Sequence, residues 1–156
     1  MLAVDGILLN TRNQVRPGGW LRPEHDRTSP MQATVTILVV DDDERGRRLT
    51  SRMLRDEGFM VIEAGSAEQA LEQLADAREV QIVLADIAMP GGMNGVELAE
   101  KVREAEPSQR IVLMSGYDRL FPKWGEMGAR FPLLMKPFTA EQLIRQMHDV
   151  LKSGMH

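Results

Sequence analysis

The sequence predicts an α/β fold, a doubly wound parallel sheet, on three observations. Short apolar runs recur at 35–40, 59–62, 82–85, 111–114 and 133–135, and helical patterns separate them. The runs are continuous rather than alternating, as expected of strands covered on both faces. All but the second deliver a reactive side chain at their carboxyl end: Asp41, Asp86, Ser115 and Lys136. Strands alternating with helices at this spacing, joined by right-handed crossovers, place helices on both faces of one sheet.

Residues 1–30 stand apart from this pattern. Pro17-Gly18-Gly19, Pro23 and Pro30 break any period, so 1–33 is expected to be a disordered or non-native leader preceding a domain at 34–153. From Val35 the β-branched run to Val40 is the first strand, ending in Asp41-Asp42-Asp43. A helix follows to about Glu57, with Leu49, Met53 and Leu54 expected inward and Arg47, Arg48, Arg52 and Arg55 mostly outward. Gly58 stops it. Phe59–Ile62 is the second strand, and Ser66 with Gln69 fits a capping box for the second helix. Ile82–Ala85 runs straight into Asp86, followed by a Pro-Gly-Gly turn and a third helix capped by Asn94. Ile111–Met114 ends at Ser115-Gly116. Residues 118–128 make a poor helix because Pro122 and Gly125 interrupt it. Leu133–Met135 ends at Lys136-Pro137, and Thr139 with Gln142 makes a second capping box for the last helix.

Composition narrows the function classes. With 156 residues and 43% hydrophobic residues, the chain can bury a core without staples. It has 0 Cys and 3 scattered His, which exclude a disulfide framework and argue against a zinc centre. A formal net charge of −4 gives no nucleic-acid footprint. No apolar run approaches the roughly 20 residues of a membrane span, and the N-terminus lacks a basic signal-peptide region, so a cytoplasmic setting without membrane or nucleic-acid partners is expected.

For five such units the natural strand order is 2-1-3-4-5, the flavodoxin-like arrangement, whose ligands sit at the carboxyl edge of the sheet. That edge gathers Asp41, Asp42, Asp86, Ser115 and Lys136. Carboxylates packed together repel one another unless a cation sits among them. A hard, oxygen-liganded divalent ion fits, Mg²⁺ best of all. Metal, ammonium and hydroxyl then surround a position beside Asp86 where a phosphoryl group is neutralised, with Asp86 as the nucleophile.

These residues lie in the segments ILVVDDDE (37–44), DIAMPGGMNGVEL (86–98), MSGY (114–117) and KPF (136–138). In their order and spacing the chain resembles the receiver domain of two-component response regulators, from about Thr34 to Lys152. The resemblance implies that Asp86 accepts phosphate from the phosphohistidine of a histidine kinase or phosphotransfer protein. It implies that Asp42 and Asp86 bind Mg²⁺ directly, Asp41 largely through water, and Ala88 through its backbone carbonyl. Ser115 and Lys136 would hold the phosphoryl oxygens, and Lys136-Pro137 would be a cis peptide.

The GGMNG turn and the LLMKPF approach look more like receiver domains attached to, or working beside, hybrid sensor kinases than those fused to DNA-binding regulators, and a stand-alone receiver is expected. Leu133 departs from the family's usual aromatic, and Trp124, in the interrupted segment, is a candidate read-out surface for an unknown downstream protein. A monomer or weak dimer is expected. The alternative is a small Mg²⁺-dependent phosphohydrolase with an aspartyl nucleophile, for which Asp41 and Asp43 superficially supply a D-x-D motif.

Overall fold

The structure, a computed structural model, describes residues 34–76, 79–116 and 130–153. The sequence-predicted leader and the interrupted segment carrying Trp124 lie outside the described residues. The described elements are β1 (Thr36–Val40), α1 (Glu44–Asp56), β2 (Met60–Ala64), α2 (Ala67–Asp76), β3 (Ile82–Asp86), α3 (Gly95–Ala105), β4 (Arg110–Ser115), β5 (Leu133–Met135) and α4 (Ala140–Ser153).

The strands form one sheet in the order β2-β1-β3-β4-β5, as expected, and every neighbouring pair is parallel. Successive residues of a strand point to opposite faces, and here both faces are covered. Leu38, Val40, Val83, Ala85, Ile111 and Leu113 pack with Ala67 and Ala70 of α2 and with Leu98, Ala99 and Val102 of α3. Ile37, Val39, Ile82, Leu84, Val112 and Met114 pack with Leu54 of α1 and with Leu143, Met147 and Val150 of α4. That is why β1, β3 and β4 read as unbroken apolar runs. Each fully buried Leu or Ile in them contributes about 2 kcal/mol.

Helix starts are fixed by side chains that accept free amides. Asp43 caps α1 by accepting the Gly46 N–H at 3.0 Å. Asn94 caps α3, and Glu97 completes a capping box that the sequence reading did not identify. Thr139 and Gln142 form the expected box, with bonds of 2.8 and 3.0 Å. The box expected at α2 is only half formed. Ser66 Oγ accepts the Gln69 N–H, but the Gln69 side chain reaches past Ser66 to the Gly65 N–H at 2.7 Å.

Two expectations for α1 are corrected. Leu49 is not inward but 56% exposed; the buried residues are Thr50, Ser51 and Leu54. Arg47 is not outward: its side chain is 19% exposed, against 71% for Arg48. Glu63 on β2 supplies a buried-side partner for Arg47, so that its charge turns toward the sheet. β2 also extends two residues beyond the predicted Ile62, because its backbone pairs with β1 as far as Ala64.

Candidate functional site

The register of the sheet brings the predicted residues together. Val40 lies beside Ala64 and Ala85, Asp86 beside Met114, and Ser115 beside Met135. Asp41, Asp86, Ser115 and Lys136 therefore stand at consecutive strand ends on one edge. Main-chain bonds secure the junctions: the Ile87 N–H donates to the Met114 carbonyl at 2.9 Å, and the Lys136 N–H to the Ser115 carbonyl at 2.7 Å. The Lys136-Pro137 bond is cis, as the resemblance implied.

Lys136 is the electrostatic centre. Its Nζ lies 2.7 Å from Asp86 Oδ2 and 3.2 Å from Asp41 Oδ2. Asp41, Asp86 and Ser115 are buried and Asp42 is exposed. Carboxylate oxygens from Asp41, Asp42 and Asp86 all fall within 4.8 Å of one another. Burial pushes the Asp86 carboxyl above its ordinary value; the Lys136 hydrogen bond and charge oppose that rise, and the Asp41 charge adds to it. Burial alone would lower the Lys136 ammonium, but its bonds and charge interactions with Asp86 and Asp41 outweigh that and hold it above the usual lysine range.

The donor set fits a hard divalent cation. All three side chains that could hold it are carboxylates, and with the one ammonium at the site they leave two negative charges in excess when ionised. Mg²⁺ would balance that excess with the oxygen ligands it prefers.

Asp43 does not join the acidic group. Its carboxylate is engaged by Gly46, and its N–H donates to Asp41 Oδ1 at 3.0 Å. Ala88 follows Asp86 as an exposed residue, and its N–H donates to Asp86 Oδ1 at 3.0 Å, which holds the carboxylate's second oxygen. Leu133 is half-buried against the core beneath α2 and α3.

Two supports of the site escaped the sequence reading. Gly95 sits directly beneath Asp86. An added Cβ there would overlap the Asp86 carbonyl oxygen and come within 2.8 Å of the Asp86 carbonyl carbon and Ile87 Cα. The available signal was a glycine at the first position of a helix, where propensity disfavours it. Arg47 was the other: its NH1 donates to the Asp41 carbonyl at 2.8 Å. Five arginines within α1 concealed which of them turns inward.

Residues 37–148 match the family model described as the response regulator receiver domain. Over 129 residues the chain is 31% identical to the sensor kinase CckA of Brucella abortus, an alignment spanning 81% of this chain and 14% of that one. Over 117 residues it is 34% identical to the transcriptional regulatory protein CpxR of Escherichia coli K12, spanning 74% of this chain and 49% of that one. The chain thus spans less than half the length of either relative. Among solved structures it resembles a response regulator receiver protein from Sinorhizobium medicae, with a TM-score of 0.70 and 32% identity over 78% of this chain and 97% of that one. It also resembles the receiver domain of NtrX from Brucella abortus, with a TM-score of 0.68 and 30% identity over 75% and 98% of the two chains. Fold, site and sequence agree: the chain belongs to the response regulator receiver domain family.

Proposed function

We propose that Asp86 is the phosphoacceptor of a two-component phosphorelay and that a histidine kinase or phosphotransfer protein supplies the phosphoryl group. The observation that carries this is the Asp86 carboxylate, buried at a strand end, bonded to Lys136 and grouped with Asp41 and Asp42. An Asp86 carboxylate oxygen attacks the phosphorus of a phosphohistidine. A P–O bond forms as the P–N bond breaks, and the departing imidazole keeps the electron pair and takes up a proton. Lys136 and the Ser115 hydroxyl stabilise the phosphoryl oxygens where charge is concentrated. Asp41, Asp42 and Asp86, with the Ala88 carbonyl, would hold Mg²⁺, whose charge neutralises the same oxygens. Water attacking the phosphorus of the acyl phosphate then releases inorganic phosphate as the P–O bond to Asp86 breaks and its carboxylate is restored, so that the domain catalyses both its phosphorylation and its dephosphorylation.

Beside Lys136 lies an open groove of about 490 Å³, lined in part by Leu49, Met53, Pro137 and Phe138. It gives the donor protein an apolar foothold next to the acceptor and accounts for an exposed Leu49. The likeness to the sensor kinase CckA supports a place beside hybrid kinases. The phosphorylated domain signals to a downstream protein as a cytoplasmic monomer or weak dimer. Among the described residues no helix is long and apolar enough to cross a membrane, and the net charge of −4 disfavours a nucleic-acid partner. The phosphohydrolase alternative loses its D-x-D, because Asp43 serves as a helix cap.

Acetyl phosphate with Mg²⁺ is expected to add one phosphoryl group per chain by intact mass, and EDTA to abolish the gain. Sustained turnover of a panel of phosphomonoesters would instead favour the hydrolase. Substitutions within the acid triplet should differ sharply. Asp42→Ala removes a carboxylate of the site and is expected to abolish Mg²⁺ binding at millimolar metal. Asp43→Ala removes a helix cap and should cost about 1 kcal/mol of stability while leaving metal binding largely intact. Equal losses in a calorimetric metal titration would contradict these roles.

A further inference from the structure

We propose that Arg47, held by Glu63, is a positioning residue that sets the direction in which the Asp41–Asp42 pair leaves β1 and so tunes the site's affinity for a divalent cation. This rests on the functional reading above and extends it to residues outside the acidic group.

Asp41 is held at four points. Its N–H donates to the Ala64 carbonyl at 3.1 Å. Its carbonyl accepts from Arg47 NH1 at 2.8 Å. Its two carboxylate oxygens accept from the Asp43 N–H and from Lys136 Nζ. Three of these four restraints come from the strand, the adjoining turn or the site itself. The fourth reaches in from α1, and it grips the peptide that joins Asp41 to Asp42. Lys136 binds Asp41 and Asp86, whereas the exposed Asp42 carboxylate is oriented through that peptide.

Arg47 is itself preset. Its Nε donates to Glu63 Oε1 at 3.1 Å, and NH1 passes 3.3 Å from the position a Cβ on Gly65 would take. Arg55 meets the other oxygen of Glu63 at 3.4 Å. A guanidinium can hold a carboxylate with one N–H and a carbonyl with another in a fixed plane, which an ammonium cannot do. Groups that orient metal ligands without touching the metal change affinity by about 10- to 100-fold when removed.

Charge alone predicts the opposite of positioning. Arg47→Ala removes a cation from the neighbourhood of the acidic group and leaves Glu63 without that partner, so a purely electrostatic role would tighten Mg²⁺ binding. Positioning predicts that binding weakens about tenfold although the local charge becomes more negative.

The test uses the full chain. Mg²⁺ affinity is measured by calorimetry, and amide hydrogen exchange at Asp41 and Asp43 is measured in EDTA, for wild type, Arg47→Ala, Arg47→Lys and Arg47→Ala combined with Glu63→Gln. Expected are about tenfold weaker Mg²⁺ binding and faster exchange at both amides in Arg47→Ala. Arg47→Lys should lie between it and wild type, and supplies the comparison if the alanine variant fails to fold. In the Arg47→Ala background, Glu63→Gln should weaken Mg²⁺ binding no further. Unchanged or tighter Mg²⁺ binding in Arg47→Ala, or unchanged exchange at Asp41 and Asp43, would overturn the proposal. A wild-type chain that binds no Mg²⁺ overturns the functional reading instead, and the exchange arm, which needs no metal, separates the two failures.

Discussion

Replacing Lys136 with Ala is expected to slow phosphorylation by acetyl phosphate about 100-fold or more, the usual loss when a donor aimed at developing charge is removed. It is also expected to cost stability. The ammonium lies between Asp41 and Asp86, both buried, and without it their charges face each other. Removing one partner of a buried ion pair costs about 3–5 kcal/mol. Lys136 is 28% exposed, so water recovers part of that and the low end applies. The pH dependence has a definite sign. Burial already raises the Asp86 carboxyl, and Lys136 opposes the rise, so its removal lifts that carboxyl further. A carboxyl raised in the folded state holds its proton where the unfolded chain has lost it. The variant's stability in EDTA should therefore fall as pH climbs from the ordinary carboxylate value of 3.8 toward neutrality. Adding Asp86→Asn should restore much of the loss. Urea unfolding across that pH range reads all three effects.

Gly95→Ala carries the second large effect. Helix propensity favours alanine over glycine by about 1 kcal/mol, so propensity alone predicts a more stable chain. The geometry opposes it, since the added Cβ would overlap the Asp86 carbonyl oxygen, and the atoms in the way are backbone. Overpacking of this kind costs about 1–3 kcal/mol. Against backbone the upper end applies, so after the propensity gain the net expectation is a variant less stable by about 2 kcal/mol, with Asp86 displaced and phosphorylation slowed. Alanine at Gly116, where a Cβ meets nothing within 4 Å, provides the contrast and should have little effect on stability. A stabilised Gly95→Ala would mean that α3 can slide away from β3 freely.

The strands and the acidic edge were readable because their signals are strong and local. Unbroken β-branched runs mean two covered faces, and one polar residue ends each central strand. Legibility failed where a residue's role depends on a partner far away in sequence. Leu49 and Arg47 were assigned to opposite faces because a helical period fixes spacing but leaves the phase open to error. The phase of α1 is set by Glu63 on the neighbouring strand and by the Asp43 cap. Gln69 was matched to the wrong amide by one residue, since Ser66 and Gly65 are both within its reach. Gly95 was hidden for a different reason: a glycine at a turn normally signals backbone freedom, and here what matters is the space that its missing side chain leaves to Asp86.

The central claim is that Asp86 alone accepts the phosphoryl group. Its most direct test is peptide mapping of the acetyl-phosphate-treated chain after borohydride reduction of the acyl phosphate, beside intact-mass analysis of Asp86→Asn. Modification on Asp86 only, and no mass gain in the variant, are expected. Label that persists in Asp86→Asn, or that maps to Asp41 or Asp42, would contradict it.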